Sequence, residues 1–147
     1  MRQPDHENGE PRVQVEQTSC SRSGVDWRIV WRITNLTGSG MRFLDARFPH
    51  GQFRSGLREL VDFRIAASGS TDLEAVVACN GRDGDVVENT FLIATVEWRG
   101  VRWRVLARMT VRFSADGSPA AVTELVTVQR VGFSAPQSQG SRRVSDG

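Results

Sequence analysis

Residues 101–113 read VRWRVLARMTVRF. Trp103, Val105, Ala107, Met109, Val111 and Phe113 fall on one side of a period-two repeat; Arg102, Arg104, Leu106, Arg108, Thr110 and Arg112 fall on the other. Alternation sustained over this length predicts a β-strand with one buried face. The preceding stretch, residues 89–98, alternates in the same way and meets it at Arg99–Gly100. A two-residue turn there sets Trp98 opposite Val101, Glu97 opposite Arg102, Val96 opposite Trp103, Ala94 opposite Val105 and Leu92 opposite Ala107. The apolar pairs then share one face and Glu97–Arg102 takes the other. Gly100 supplies the positive φ that a tight hairpin needs.

Outward from this hairpin, the same reading places strands at residues 12–18, 26–34, 41–48, 60–67, 73–79 and 122–131. The clearest is Asp26–Thr34, with Trp27, Ile29, Trp31 and Ile33 against Arg28, Val30, Arg32 and Thr34. Turn formers separate the strands: Asn35–Leu36–Thr37–Gly38–Ser39–Gly40, Pro49–His50–Gly51, Ser68–Gly69–Ser70, the 80–85 loop and Ala115–Asp116–Gly117–Ser118–Pro119. No helical period is sustained; residues 54–62 leave room for one helical turn. The expectation is an all-β, antiparallel β-sandwich of seven to eight strands over residues 12–133. The polar segments 1–11 and 134–147 are expected to be a disordered lead and tail, too poor in apolar side chains to offset ordering.

At 147 residues one domain is expected, large enough to bury a core without metal or disulfide staples. The net charge is +2, and every basic side chain is Arg. The pI near 9.0 reflects that small Arg excess rather than a basic arm. Acids are interspersed, so a nucleic-acid partner is not expected. No apolar run could span a bilayer. The N-terminus lacks the charged-then-apolar layout of a secretory signal, which leads to an expected cytoplasmic location.

Trp31–Arg32–Ile33–Thr34–Asn35, Gly38 and the strand through Leu44 resemble bacterial immunoglobulin-like and fibronectin-III-like sandwich domains. The Ser68–Gly69–Ser70 turn leading into Leu73, Ala75 and Val77 resembles another strand junction of such domains. The resemblance implies the immunoglobulin-like sandwich fold, and that fold hosts many functions. The spacing of Cys20, Trp31 and Cys79 is similar to the Cys, core Trp and Cys of antibody-type domains, which would imply a Cys20–Cys79 disulfide. Against that, Val77 stands where those domains carry Tyr, and a long hairpin follows Cys79 where one strand would remain. In a reducing compartment Cys79 reads more simply as a small buried apolar residue.

Candidate chemistry is sparse. His50 lies in a turn with nothing to fix a nucleophile and an orienting acid around it, so no catalytic residue is assigned and no enzyme activity is expected. Asn80, Asp83, Asp85 and Glu88 place oxygen ligands in one loop, the only candidates for a metal, here calcium; a polar connection between strands explains the same residues. No cofactor is expected. Trp27, Trp31, Trp98 and Trp103 would suit a sugar platform, but their apolar neighbours assign them to the core.

The outward row of the hairpin carries Phe91, Ile93 and Leu106 beside Arg104 and Arg108. An apolar centre rimmed by Arg is the composition of an interaction patch; ordinary surface exposure of apolar side chains, or their coverage by the last strand or a tail, is the plainer alternative. The functional expectation is a non-catalytic protein-interaction module, acting through a sheet face or an edge strand on a protein partner or a second copy. The alternative is an accessory module presenting loops to a carbohydrate or calcium.

Overall fold

A computed structural model describes residues 9–50, 52–54 and 59–132. The 1–8 part of the expected lead, the 134–147 tail and residues 55–58 of the 54–62 segment lie outside them; Arg54 and Glu59–Asp62 belong to strands. Pro11, assigned from sequence to the lead, is buried.

The chain forms β1 (Val13–Ser23), β2 (Asp26–Asn35), β3 (Met41–Arg47), β4 (Pro49–His50), β5 (Phe53–Arg54), β6 (Glu59–Ile65), β7 (Ser70–Val77), β8 (Val86–Trp98), β9 (Val101–Phe113) and β10 (Pro119–Arg130). Three strands pair in the order β1-β2-β7 and five in the order β10-β9-β8-β3-β6, while β4 and β5 form a two-residue hairpin. All pairings are antiparallel. The eight strands of the two sheets match the expected number.

The central hairpin has the predicted register: Trp98 faces Val101, Val96 faces Trp103, Ala94 faces Val105 and Leu92 faces Ala107. Arg99 and Gly100 both have positive φ, 53° and 74°, the combination of a two-residue turn whose twist matches that of the strands. The inward rows of the two sheets build one core. Ile29, Trp31 and Ile33 come from β2, Leu73 and Val77 from β7, and Val96, Ala107, Met109 and Val111 from β8 and β9.

Three indoles at the ends of the core are covered by guanidinium groups. Arg22 lies 4.7 Å above Trp27, Arg99 4.7 Å above Trp98 and Arg130 5.7 Å above Trp103. Each contact puts a weakly hydrated planar cation on a ring face that water would otherwise reach. Part of the Arg inventory therefore serves the fold.

One of the two glycines of the Asn80–Asp85 loop, Gly81, has a packing reason. A methyl group at Gly81 would lie inside the Phe113 ring, and Phe113 is buried. Gly81→Ala is therefore expected to force the ring aside and cost about 1–3 kcal/mol, as overpacking does. Urea unfolding measures it, and a Phe113→Leu background should recover part of the loss. An undiminished midpoint in the single variant would show that this contact is absent in solution.

Candidate interaction surface

The outer face of the five-stranded sheet is assembled by cross-strand pairing. Phe91 lies opposite Arg108, Ile93 opposite Leu106 and Thr95 opposite Arg104. β10 extends each row: Leu125 pairs with Arg108, Thr127 with Leu106 and Gln129 with Arg104. On the other flank Arg47 of β3 pairs with Ile93. The five residues singled out from sequence, Phe91, Ile93, Leu106, Arg104 and Arg108, are thus neighbours on one face. Phe91, Ile93, Leu106 and Arg108 are half-buried, and Arg104 is exposed.

Two further apolar residues of this end of the sheet were not found from sequence. Val122 is 59% exposed and Leu125 49% exposed. Val122 pairs with Thr110 and Leu125 with Arg108, both in the outward row of β9. A register shift between Thr123 and Leu125 makes this possible, because an extra residue in one strand reverses its alternation. Simple alternation along β10 would have put Val122 and Leu125 on opposite faces, and nothing in the sequence marks the bulge.

Electrostatically the two outer faces differ. On the three-stranded sheet, Arg28 Nε lies 2.7 Å from Glu74 Oε2, and Arg32 Nε lies 4.0 Å from Asp72 Oδ1. On the five-stranded sheet, Arg42 donates to both carboxylate oxygens of Asp62 at 2.8 and 3.0 Å, which holds the Asp62 carboxyl below its ordinary range. Among the described residues, Arg47, Arg104, Arg108 and Arg112 have neither an ion pair nor a side-chain hydrogen bond. The five-stranded face thus carries the Arg42–Asp62 pair and Glu97 at one end and a column of cations without a paired acid beside its apolar side chains.

The remaining candidates are placed as follows. Asn80, Asp83, Asp85 and Glu88 are all exposed. Asp85 Oδ2 accepts a hydrogen bond from the Arg82 N–H at 2.9 Å, which closes the loop. No group of three or more His, Cys, Asp or Glu side chains is placed to hold a metal ion among the described residues. His50 Nδ1 accepts from the Gln52 N–H at 3.1 Å, completing the β4–β5 turn. All four Trp are buried, so none offers an open ring face to a sugar. No helix of the described residues is long and apolar enough to cross a membrane.

Asn80, Gly81 and Asp85 also flank a cleft of about 430 Å³ that reaches Cys79, Asp26 and Phe113. Cys20 and Cys79 are free thiols. Burial, with the nearby Cys20 and Asp26 charges adding to it, pushes the Cys79 thiol from 9.0 up to about 11; burial followed by Asp116 raises Cys20 as well. The chain has neither Lys nor Tyr, so these thiols are the only side chains that titrate between pH 9 and 11. In that window the unfolded thiols release protons that the native ones keep. Stability is therefore expected to hold up to pH 9 and to fall as the pH rises to about 11. Urea midpoints across this range check it, and Cys79→Ala should remove most of the slope; a variant that keeps the full slope would contradict the assignment.

The chain matches no protein-family model, no curated protein and no solved structure.

Proposed function

We propose that the domain is a non-catalytic protein-interaction module that docks an acidic, apolar-centred partner surface on the outer face of its five-stranded sheet. The observation that carries this reading is the asymmetry of the two faces. Arg28 and Arg32 have cross-strand acids, whereas Arg47, Arg104, Arg108 and Arg112 have none among the described residues and surround Phe91, Ile93 and Leu106. A guanidinium fork left open beside apolar surface suits carboxylates of a partner, because each pair would form where water is already thinned. Kinship with immunoglobulin-like or fibronectin-III-like domains belongs to the same proposal, supported by the two antiparallel sheets and the sequence resemblance.

The test is capture from the native host with the full chain and two variants, Phe91→Asp and Arg104→Glu/Arg108→Glu. Both variants should keep the parental melting temperature, because the three residues are at least partly exposed and make no ion pair. The expected result is an acidic protein whose cross-links map to the Phe91–Leu106 rows and whose recovery falls at least about tenfold in each variant. Recovery that the variants leave unchanged, or that nuclease treatment abolishes, overturns the reading. A parental dimer that Phe91→Asp makes monomeric overturns the acidic-partner assignment in favour of a second copy.

A further inference from the structure

A second surface lies along the seam where one edge of each sheet meets the other. β1 is the edge of the three-stranded sheet and β10 the edge of the five-stranded sheet. They run side by side without a backbone ladder. Their one stitch is a side chain: Gln17 Nε2 donates to Pro119 O at 3.0 Å, and Gln17 Oε1 accepts from the Ala121 N–H at 2.8 Å. An amide donating to one carbonyl and accepting from an N–H two residues on does what a residue of an adjacent strand would do. The edge of β10 is thus able to pair, and Gln17 occupies its beginning.

Beyond Gln17 the seam opens into a groove of about 500 Å³ between Val13–Gln17 and Ala121–Val126. It continues toward a recess formed by Glu10–Val13 with Val126 and Val128. The Val131 N–H bonds inward to Arg102 O; by antiparallel alternation, the backbone groups of Val126 and Val128 point to the open edge. The hydroxyl Oγ1 of Thr123, in the groove wall, is buried without a hydrogen-bond partner. Among the described residues, the only charged ones lining the main groove are Glu16 and Glu124.

We propose that this seam accepts an extended segment of a partner protein as an added strand on β10, with apolar side chains alternating with Arg or Lys. Backbone pairing supplies the affinity of such a strand and the groove supplies the selection. The exposed Val122 and Leu125 and the half-buried Val126 receive its apolar side chains. Glu16 and Glu124 receive its cations. The site adjoins the outer sheet face at Val122 and Leu125 and selects the opposite charge.

The experiment uses the full chain and three labelled nonapeptides, followed by fluorescence anisotropy: one alternates Val and Arg, one alternates Val and Glu, and one is the Val/Arg peptide N-methylated at alternate residues. The Val/Arg peptide should bind saturably and slow amide exchange at Val126 and Val128. The other two should bind at least about tenfold more weakly. Glu16→Lys/Glu124→Lys should weaken the Val/Arg peptide and strengthen the Val/Glu peptide. Equal binding of the N-methylated peptide, or unaltered exchange at Val126 and Val128, overturns strand addition. Equal binding of the Val/Glu peptide overturns the charge assignment. No binding of any peptide up to about 1 mM overturns the site, and leaves the outer-face reading to its own variants.

Discussion

Asn35→Ala is expected to destabilise the domain by about 3–5 kcal/mol, more than the truncation of one polar side chain normally costs. Asn35 is wholly buried at the end of β2. Its Nδ2 donates to Ser39 O at 2.8 Å, Ile65 O at 3.2 Å and Ala66 O at 3.3 Å. Its Oδ1 accepts from the Thr37 N–H at 3.0 Å and from Thr37 Oγ1 at 2.7 Å. Thr37 Oγ1 in turn accepts from Trp98 Nε1 at 3.1 Å. One amide thus ties the β2–β3 connection to the end of β6 and, through Thr37, to the turn of the central hairpin. Alanine would strand these donors and acceptors out of reach of water, and each unsatisfied group adds its own desolvation cost.

Asn35→Asp separates lost hydrogen bonds from lost volume. A carboxylate oxygen would then face the carbonyls of Ser39, Ile65 and Ala66, which offer no proton. At neutral pH the aspartate should be at least as damaging as alanine, and acidification should restore part of the loss as the carboxyl gains a proton to donate. Urea denaturation at pH 7 and pH 4 reads this. An Asn35→Asp variant as stable as the parent at pH 7 would show that the three carbonyls do not converge on the side chain.

The contrast between this clamp and the central hairpin shows what was legible in the sequence. The hairpin register follows from local facts, a period of two on both sides of a Gly-containing turn, and the observed pairing is the one those facts require. Asn35–Gly40 contains only turn formers by composition. That Ile65 O and Ala66 O arrive at the same amide depends on a strand thirty residues away, and no local pattern carries that. β1 is a similar case. Its second half, Ser19–Ser23, has no alternation, yet it pairs with Asp26–Val30; the partner strand decides the conformation where intrinsic preference is weak. The surface site was half legible for the same reason. Alternation put Phe91, Ile93 and Leu106 in one row, but the β10 bulge that adds Leu125 left no mark.

Trp31→Ala is expected to remove about 3–5 kcal/mol, a large part of the 5–15 kcal/mol that holds a typical domain folded. Trp31 is fully buried and comes from the three-stranded sheet. It stacks on Phe48 with ring centroids 5.4 Å apart and meets Phe53 edge-on at 6.4 Å; those two rings meet each other edge-on at 5.7 Å. Phe48 follows β3 and Phe53 begins β5, so the cluster fastens the small β4–β5 hairpin to the opposite sheet. An alanine leaves a void that the two Phe rings cannot both fill, and the β4–β5 segment should lose its seat before the sheets separate. Trp31→Phe provides the decisive comparison. The indole Nε1 is buried without a hydrogen-bond partner, so the parent already carries a polar cost that phenylalanine removes along with some apolar contact. The net loss should stay below about 1.5 kcal/mol. Thermal and urea unfolding of both variants measure the pair. Equal losses would mean that the indole nitrogen finds a partner in solution, whereas a small loss in both would mean that the ring is not wedged between the sheets at all.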